Sequence, residues 1–304
     1  MKPHKQRFKL LTTHIPAKIK GKHADTERRM KPLNDFAHKQ SKYMPTFAKA
    51  TGKPTVYIPG YPYEDEEPMP ATGFHGEQNS ILYEQLSSYF AMQPHIYVGI
   101  DNFIYYREGD VTKSVAPDIY VVLGAAKFPL RRSFYTWAEG ATPTVIFEFL
   151  SDSTADEDRE EKVHIYLRDM GVQEYFLHQP EMEKPAEFRG WRREPSGTIV
   201  EIPPDTRGAL FSESLNLSFR WTDQHHSHVR LLRPYLPDGT LITTAIEARN
   251  LHAAAKKRVE AAGLGVEAER DLRAEAEARA VAETERRQAL ERELEQLRRH
   301  LENR

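Results

Sequence analysis

One residue limits the possible folds more than any other: Glu148, set inside the apolar run Thr144-Val-Ile-Phe-Glu-Phe-Leu150. The run reads as a β-strand, in which residues two apart share a face. A glutamate on the solvent face of an edge strand would have polar company at Ile146 or Leu150, and it has none. A carboxylate in such surroundings is costly unless it is paired, hydrogen-bonded or bound to a metal ion. The run is therefore expected to be a buried strand carrying a functional acid.

A second acid stands thirty positions earlier, where Pro117-Asp118 opens the strand-like stretch Ile119–Leu123. Alone, a Pro-Asp pair at a strand start is as often a turn or a cap. If the two strands are neighbours, however, Asp118 and Glu148 converge on one hard cation. Mg2+ (or Mn2+) takes oxygen ligands, commonly one or two carboxylates completed by water and substrate phosphate. Lys162 follows Asp158 by four residues in a helical stretch, so the two share a face. They form either an ordinary surface ion pair or a cation placed to orient or deprotonate water and to stabilise developing charge. Ser151-Asp-Ser-Thr154 reads as helix-capping chemistry, and His75 as a histidine near a helix start.

Around these residues the chain divides in three. Residues 1–55 carry fourteen Lys and Arg against three acids, with no helical or strand period. This is a basic arm expected to be disordered when alone, either a passive tail or a phosphate-binding segment. Residues 56–237 begin with a Pro-rich acidic loop, Tyr61 to Pro70. A helix is expected from Asn79 to Phe90, then strands at His95–Val98, Phe103–Arg107, Asp118–Leu123 and Thr144–Leu150. A further helix is expected over Asp156–Asp169, capped by Gly171, and another strand over Val172–Leu177. Sheet flanked by helices makes an α/β domain.

Residues 244–304 are rich in Ala, Glu and Arg. They offer Glu-first i,i+4 pairs at 269–273, 275–279, 283–287 and 295–299. Leu290, Leu294, Leu297 and Leu301 give a short a/d seam, and Gly263 and Gly265 are expected to interrupt the helix. Self-association through this helix competes with a solvated surface helix. The chain has no cysteine, which excludes disulfides, zinc-thiolate sites and thiol nucleophiles. No apolar run reaches membrane-spanning length and no secretory signal opens the chain, so a cytoplasmic location is expected.

In order and spacing the chain resembles the Uma-two family, a domain family of unknown function placed among restriction endonucleases of the PD-(D/E)XK superfamily. The resemblance rests on Phe74-His75 with Glu84, Tyr97-Val-Gly99 with Tyr105-Tyr106, and Ala116-Pro-Asp-Ile-Tyr-Val-Val-Leu-Gly124. Tyr135-Thr-Trp-Ala-Glu-Gly140, Glu148-Phe-Leu-Ser151, Asp158 with Lys162 and Tyr166, and Gly171-Val-Gln-Glu-Tyr-Phe176 complete it. It implies a restriction-endonuclease-like αβββαβ core with Asp118 and Glu148 as metal ligands and the Phe149 backbone carbonyl as a third. His75, Glu84, Ser151 and Asp158 become site-lining candidates. The superfamily lysine belongs two residues after the acid, where this chain has Leu150; Lys162 is its displaced counterpart. The implied activity is Mg2+-dependent hydrolysis of phosphodiester bonds, with DNA as partner and no organic cofactor. The alternative is a catalytically degenerate nuclease fold serving as a nucleic-acid-binding or protein-interaction module.

Overall fold

The centre of the molecule is a six-stranded sheet in the order β1 (Ile96–Ile100), β4 (Ile119–Leu123), β6 (Val145–Phe149), β7 (Glu174–His178), β8 (Phe188–Arg193), β9 (Ile199–Glu201). These and the other elements come from a computed structural model that describes residues 41–64, 72–151 and 158–302. β6 and β7 are parallel and every other neighbouring pair is antiparallel. The parallel pair requires a crossover. It is made by the segment containing α3 (Glu161–His164) and the π-helical turn Ile165–Asp169 that continues it.

Alternation along the central strands sends side chains into two apolar layers. Ile119, Val121, Val145, Phe147 and Phe149 meet α1 (Gly73–Tyr89) through Leu82, Leu86 and Tyr89. They also meet a three-stranded sheet, β10 (Leu210–Ser212), β11 (Leu217–Gln224) and β12 (Val229–Tyr235), through Phe219 and Leu232. On the opposite face Tyr120, Val122, Ile146 and Leu150 meet Val163, Tyr166 and Leu167 of the crossover. Ile104 and Phe134, from a small sheet of β2 (Ile104–Tyr105), β3 (Ser114–Val115) and β5 (Phe134–Tyr135), join them there. Each fully buried Leu or Phe contributes on the order of 1.5–3 kcal/mol over its exposed state. β6, with all five residues buried, is thus an interior strand, and Glu148 cannot be a solvent-facing edge residue. A short helix α2 (Thr136–Glu139) precedes β6 and ends at Gly140, whose left-handed φ of 62° needs no Cβ.

α1 starts six residues before the Asn79 expected from periodicity, because Thr72 caps it: its hydroxyl accepts from the His75 amide at 3.3 Å. The apolar period begins only at Asn79, after the first turn and a half. Glutamines tie the helix to β12, as the Gln78 side chain exchanges hydrogen bonds with the Leu232 backbone (2.7 and 3.3 Å).

The expected disordered arm of residues 1–55 needs correction over its last part. Tyr43, Met44 and Phe47 pack on the first apolar layer. Further along, the amides of Ala50, Gly52 and Lys53 donate to the carbonyls of Gly124, Glu139 and Ala138. A Cβ on Gly52 would fall 2.1 Å from the Ala138 oxygen, so only glycine admits this approach. Residues 1–40 lie outside the described residues, as do most of the acidic loop and Ser153-Thr154.

The chain separates into two compact units, residues 1–242 and 243–304. The second is a 58-residue helix, α4 (Ala245–Glu302), opened by a reciprocal cap in which Thr244 Oγ1 accepts from the Glu247 amide and Glu247 Oε2 accepts from the Thr244 amide. The helix runs through Gly263 and Gly265 without the expected interruption; two glycines cost it about 2 kcal/mol relative to alanine, which a helix this long absorbs. The pairs Glu269–Arg273 and Glu275–Arg279 form, whereas Arg287 bonds forward to Glu291 and not back to Glu283. Leu290 is exposed; the side chains of Leu294, Leu297, Arg299 and Leu301 lie outside the described ones. No described helix is long and apolar enough to cross a membrane.

A candidate active site between two central strands

The pairing of β4 with β6 sets Ile119 opposite Phe147. Extended by one position, this register puts Asp118 opposite Glu148, and cross-strand neighbours on one face lie close enough to interact. They do so: Glu148 Oε2 accepts from the Asp118 amide at 3.4 Å, and Asp118 Oδ2 accepts from the Phe149 amide at 2.6 Å. An extended residue turns its N–H and C=O toward the same neighbouring strand, so the Phe149 carbonyl opens on the same side as its amide, toward Asp118.

The crossover supplies the partners of Glu148. Lys162 Nζ is 3.0 Å from Oε1, and the Tyr166 hydroxyl donates to the same oxygen at 2.5 Å. Lys162 also lies 2.7 Å from Asp158 Oδ1. Lys162 thus pairs with Asp158 at i,i+4 and also reaches the central acid. Burial works against the ammonium, but Glu148 and Asp158 outweigh it and hold its pKa above the usual lysine value. Glu148 is pushed up to about 7, by burial first and by Asp118, against the pull of Lys162 and the Tyr166 hydroxyl.

α1 completes the site. His75 Nε2 lies 2.7 Å from Asp118 Oδ1, and Asn79, one turn further on, approaches Asp118 and Asp101 with its amide nitrogen at 3.5 Å. Burial lowers the His75 pKa and Asp118 more than offsets it, for a net rise. Asp101, in the turn after β1 with a left-handed φ of 44°, has its pKa raised by burial. Glu84 stands nine residues beyond His75, roughly 13 Å along the helix axis, out of reach of the carboxylate pair. Ser151 is half-buried where β6 ends.

The structure thus brings together Asp118, Glu148, Phe149, Lys162, Asp158 and His75 and leaves Glu84 aside. It adds Tyr166, Asn79 and Asp101, whose roles the sequence did not disclose. Asn79 had a signal in being four residues after His75, whereas Tyr166, four after Lys162, reads as an ordinary core tyrosine. Among the described residues no three His, Asp or Glu side chains form a ready-made metal cage. A cation held here would complete its shell with water and substrate oxygens. The donors at hand, Asp118, Glu148 Oε2 and the Phe149 carbonyl, are all hard oxygens, and Asp101, Asp118, Glu148 and Asp158 outnumber Lys162 and His75. The residues fit a Mg2+-type ion.

No curated protein matches the chain. Among solved structures it is similar to one from Anabaena variabilis, titled "a putative nuclease belonging to DUF820", with 18% identity and a TM-score of 0.35, covering 49% of this chain and 76% of that one. The family model Uma2, described as "Putative restriction endonuclease", matches residues 53–222, more than half of the 304. The chain belongs to the Uma2 family.

Proposed function

We propose that this protein is a divalent-metal-dependent endonuclease hydrolysing phosphodiester bonds in DNA. α1, β1, β4, β6, the α3 crossover and β7 are read as the αβββαβ core of the PD-(D/E)XK superfamily. The observation that carries the reading is the register setting Asp118 opposite Glu148 on adjacent interior strands, with Lys162 fixed to the second acid. Asp118, Glu148 and the Phe149 carbonyl would hold Mg2+ or Mn2+. When bound, such an ion supplies an activated water and neutralises charge on a phosphoryl oxygen.

The chain's own residues have separate tasks. His75 and the Phe149 amide orient Asp118 from two sides. Lys162 offsets negative charge building on the phosphate, a role worth about 10²–10³ in rate where such donors have been removed elsewhere. Asp158 keeps Lys162 from leaving with solvent. α4 is assigned to self-association and the cytoplasm is the proposed location.

A second reading, a nuclease fold retained for binding alone, draws support from the double pairing of Lys162, whose charge is already compensated by Glu148 and Asp158. Incubating supercoiled plasmid with the protein and Mg2+ or Mn2+ separates the two. Nicking that is lost in Asp118→Ala supports the endonuclease. A mobility shift without cleavage, in wild type and variant alike, supports the binding module.

A further inference from the structure

The Glu148 carboxylate is held asymmetrically. Oε1 takes two donors, Lys162 Nζ at 3.0 Å and the Tyr166 hydroxyl at 2.5 Å, while among the described residues Oε2 takes only the long 3.4 Å contact from the Asp118 amide. Lys162 alone would not fix this orientation, because Asp158 at 2.7 Å competes for the same ammonium. The Tyr166 hydroxyl has no such second claim among the described residues. Its ring is wholly buried and set edge-on against Tyr175, with centroids 5.1 Å apart. A phenol in that position adds direction without adding positive charge, so it aligns the acid and leaves the site's negative excess intact.

The backbone that presents Tyr166 is unusual in the same place. Ile165–Asp169 is a π-helical turn, and the Met170 amide reaches back five residues to the Ile165 carbonyl at 2.9 Å. π-turns are rare and recur at functional sites. Here the wider turn follows directly on α3, which carries Lys162, and keeps Tyr166 beneath Glu148 while Leu167 and Met170 still enter the apolar layer.

We propose that Tyr166 is a positioning residue for the metal site: its hydroxyl, presented by the π-turn, locks Glu148 with Oε1 against the crossover and Oε2 toward Asp118, where a divalent cation binds. This rests on the reading of Asp118 and Glu148 as cation ligands. Partners that orient a ligating carboxylate are typically worth about 10–100-fold in metal affinity or activity.

Calorimetric titration of the full-length protein with Mn2+ tests it, comparing wild type, Tyr166→Phe and Tyr105→Phe. Tyr105 is equally buried and loses a comparable bond, its hydroxyl donating to the Pro62 carbonyl at 2.6 Å, so it reports what losing a buried tyrosine hydroxyl does by itself. The expected result is a loss of about tenfold or more in Mn2+ affinity for Tyr166→Phe, with Tyr105→Phe matching wild type. Equal affinity in wild type and Tyr166→Phe overturns the positioning role and leaves the metal site standing. An equal loss in both variants overturns it as general loosening. If wild type takes up no Mn2+, the metal site itself falls and the role of Tyr166 with it.

Discussion

At the scale of single residues, the site is a negotiation over one buried carboxylate. Glu148 is surrounded by apolar side chains on its own strand, yet Lys162 and Tyr166 reach it from the crossover and Asp118 faces it across the sheet. Because Asp158 shares Lys162 and the Tyr166 hydroxyl still holds Glu148 without it, removal of the lysine should spare metal affinity and cost rate. Lys162→Ala is expected to keep Mn2+ binding and to lose about 10²-fold or more in plasmid cleavage; unchanged cleavage would strip the lysine of its role. Glu148 and Asp118 were legible in the sequence because a charge within an apolar run, or beside one, is a physical contradiction that needs a partner. Tyr166 was not. A tyrosine on the apolar side of a helix satisfies the expectation of core packing, and nothing local betrays a hydroxyl partner 18 residues away.

Among the elements, the central strands and the first helix were legible from period and punctuation, with ends displaced by a few residues. The start of α1 was missed because capping by Thr72, not an apolar period, determines it. The π-turn left no signal at all, since its sequence, Ile-Tyr-Leu-Arg-Asp, suits an ordinary helix. Gly99 of β1 faces Tyr120 of β4, and a Cβ there would lie 2.1 Å from the tyrosine Cζ. The Tyr120 ring is fully buried and its hydroxyl donates to Asn102 at 2.9 Å, so it has no free direction in which to yield. Gly99→Ala is therefore expected to lower stability by roughly 1–3 kcal/mol through overpacking, read as a lower urea midpoint. An unchanged midpoint would mean that the sheet accommodates the methyl group.

On the scale of the whole molecule, a nuclease-family domain is followed by a long helix whose described side chains are almost all exposed. A helix whose described leucines, Leu251, Leu272 and Leu290, are all exposed can gain stability by pairing with a copy of itself. Light scattering should then give a higher mass per particle for the full chain than for one ending at Thr243, which retains Ile242 in the core; equal protomer numbers would leave α4 a solvated helix. Mn2+ titration of wild type, Asp118→Ala and Glu148→Ala, each checked for a cooperative thermal transition, tests the proposed two-carboxylate cation site. One saturable site is expected in wild type and none in either variant. Undiminished Mn2+ binding in both folded variants would contradict it.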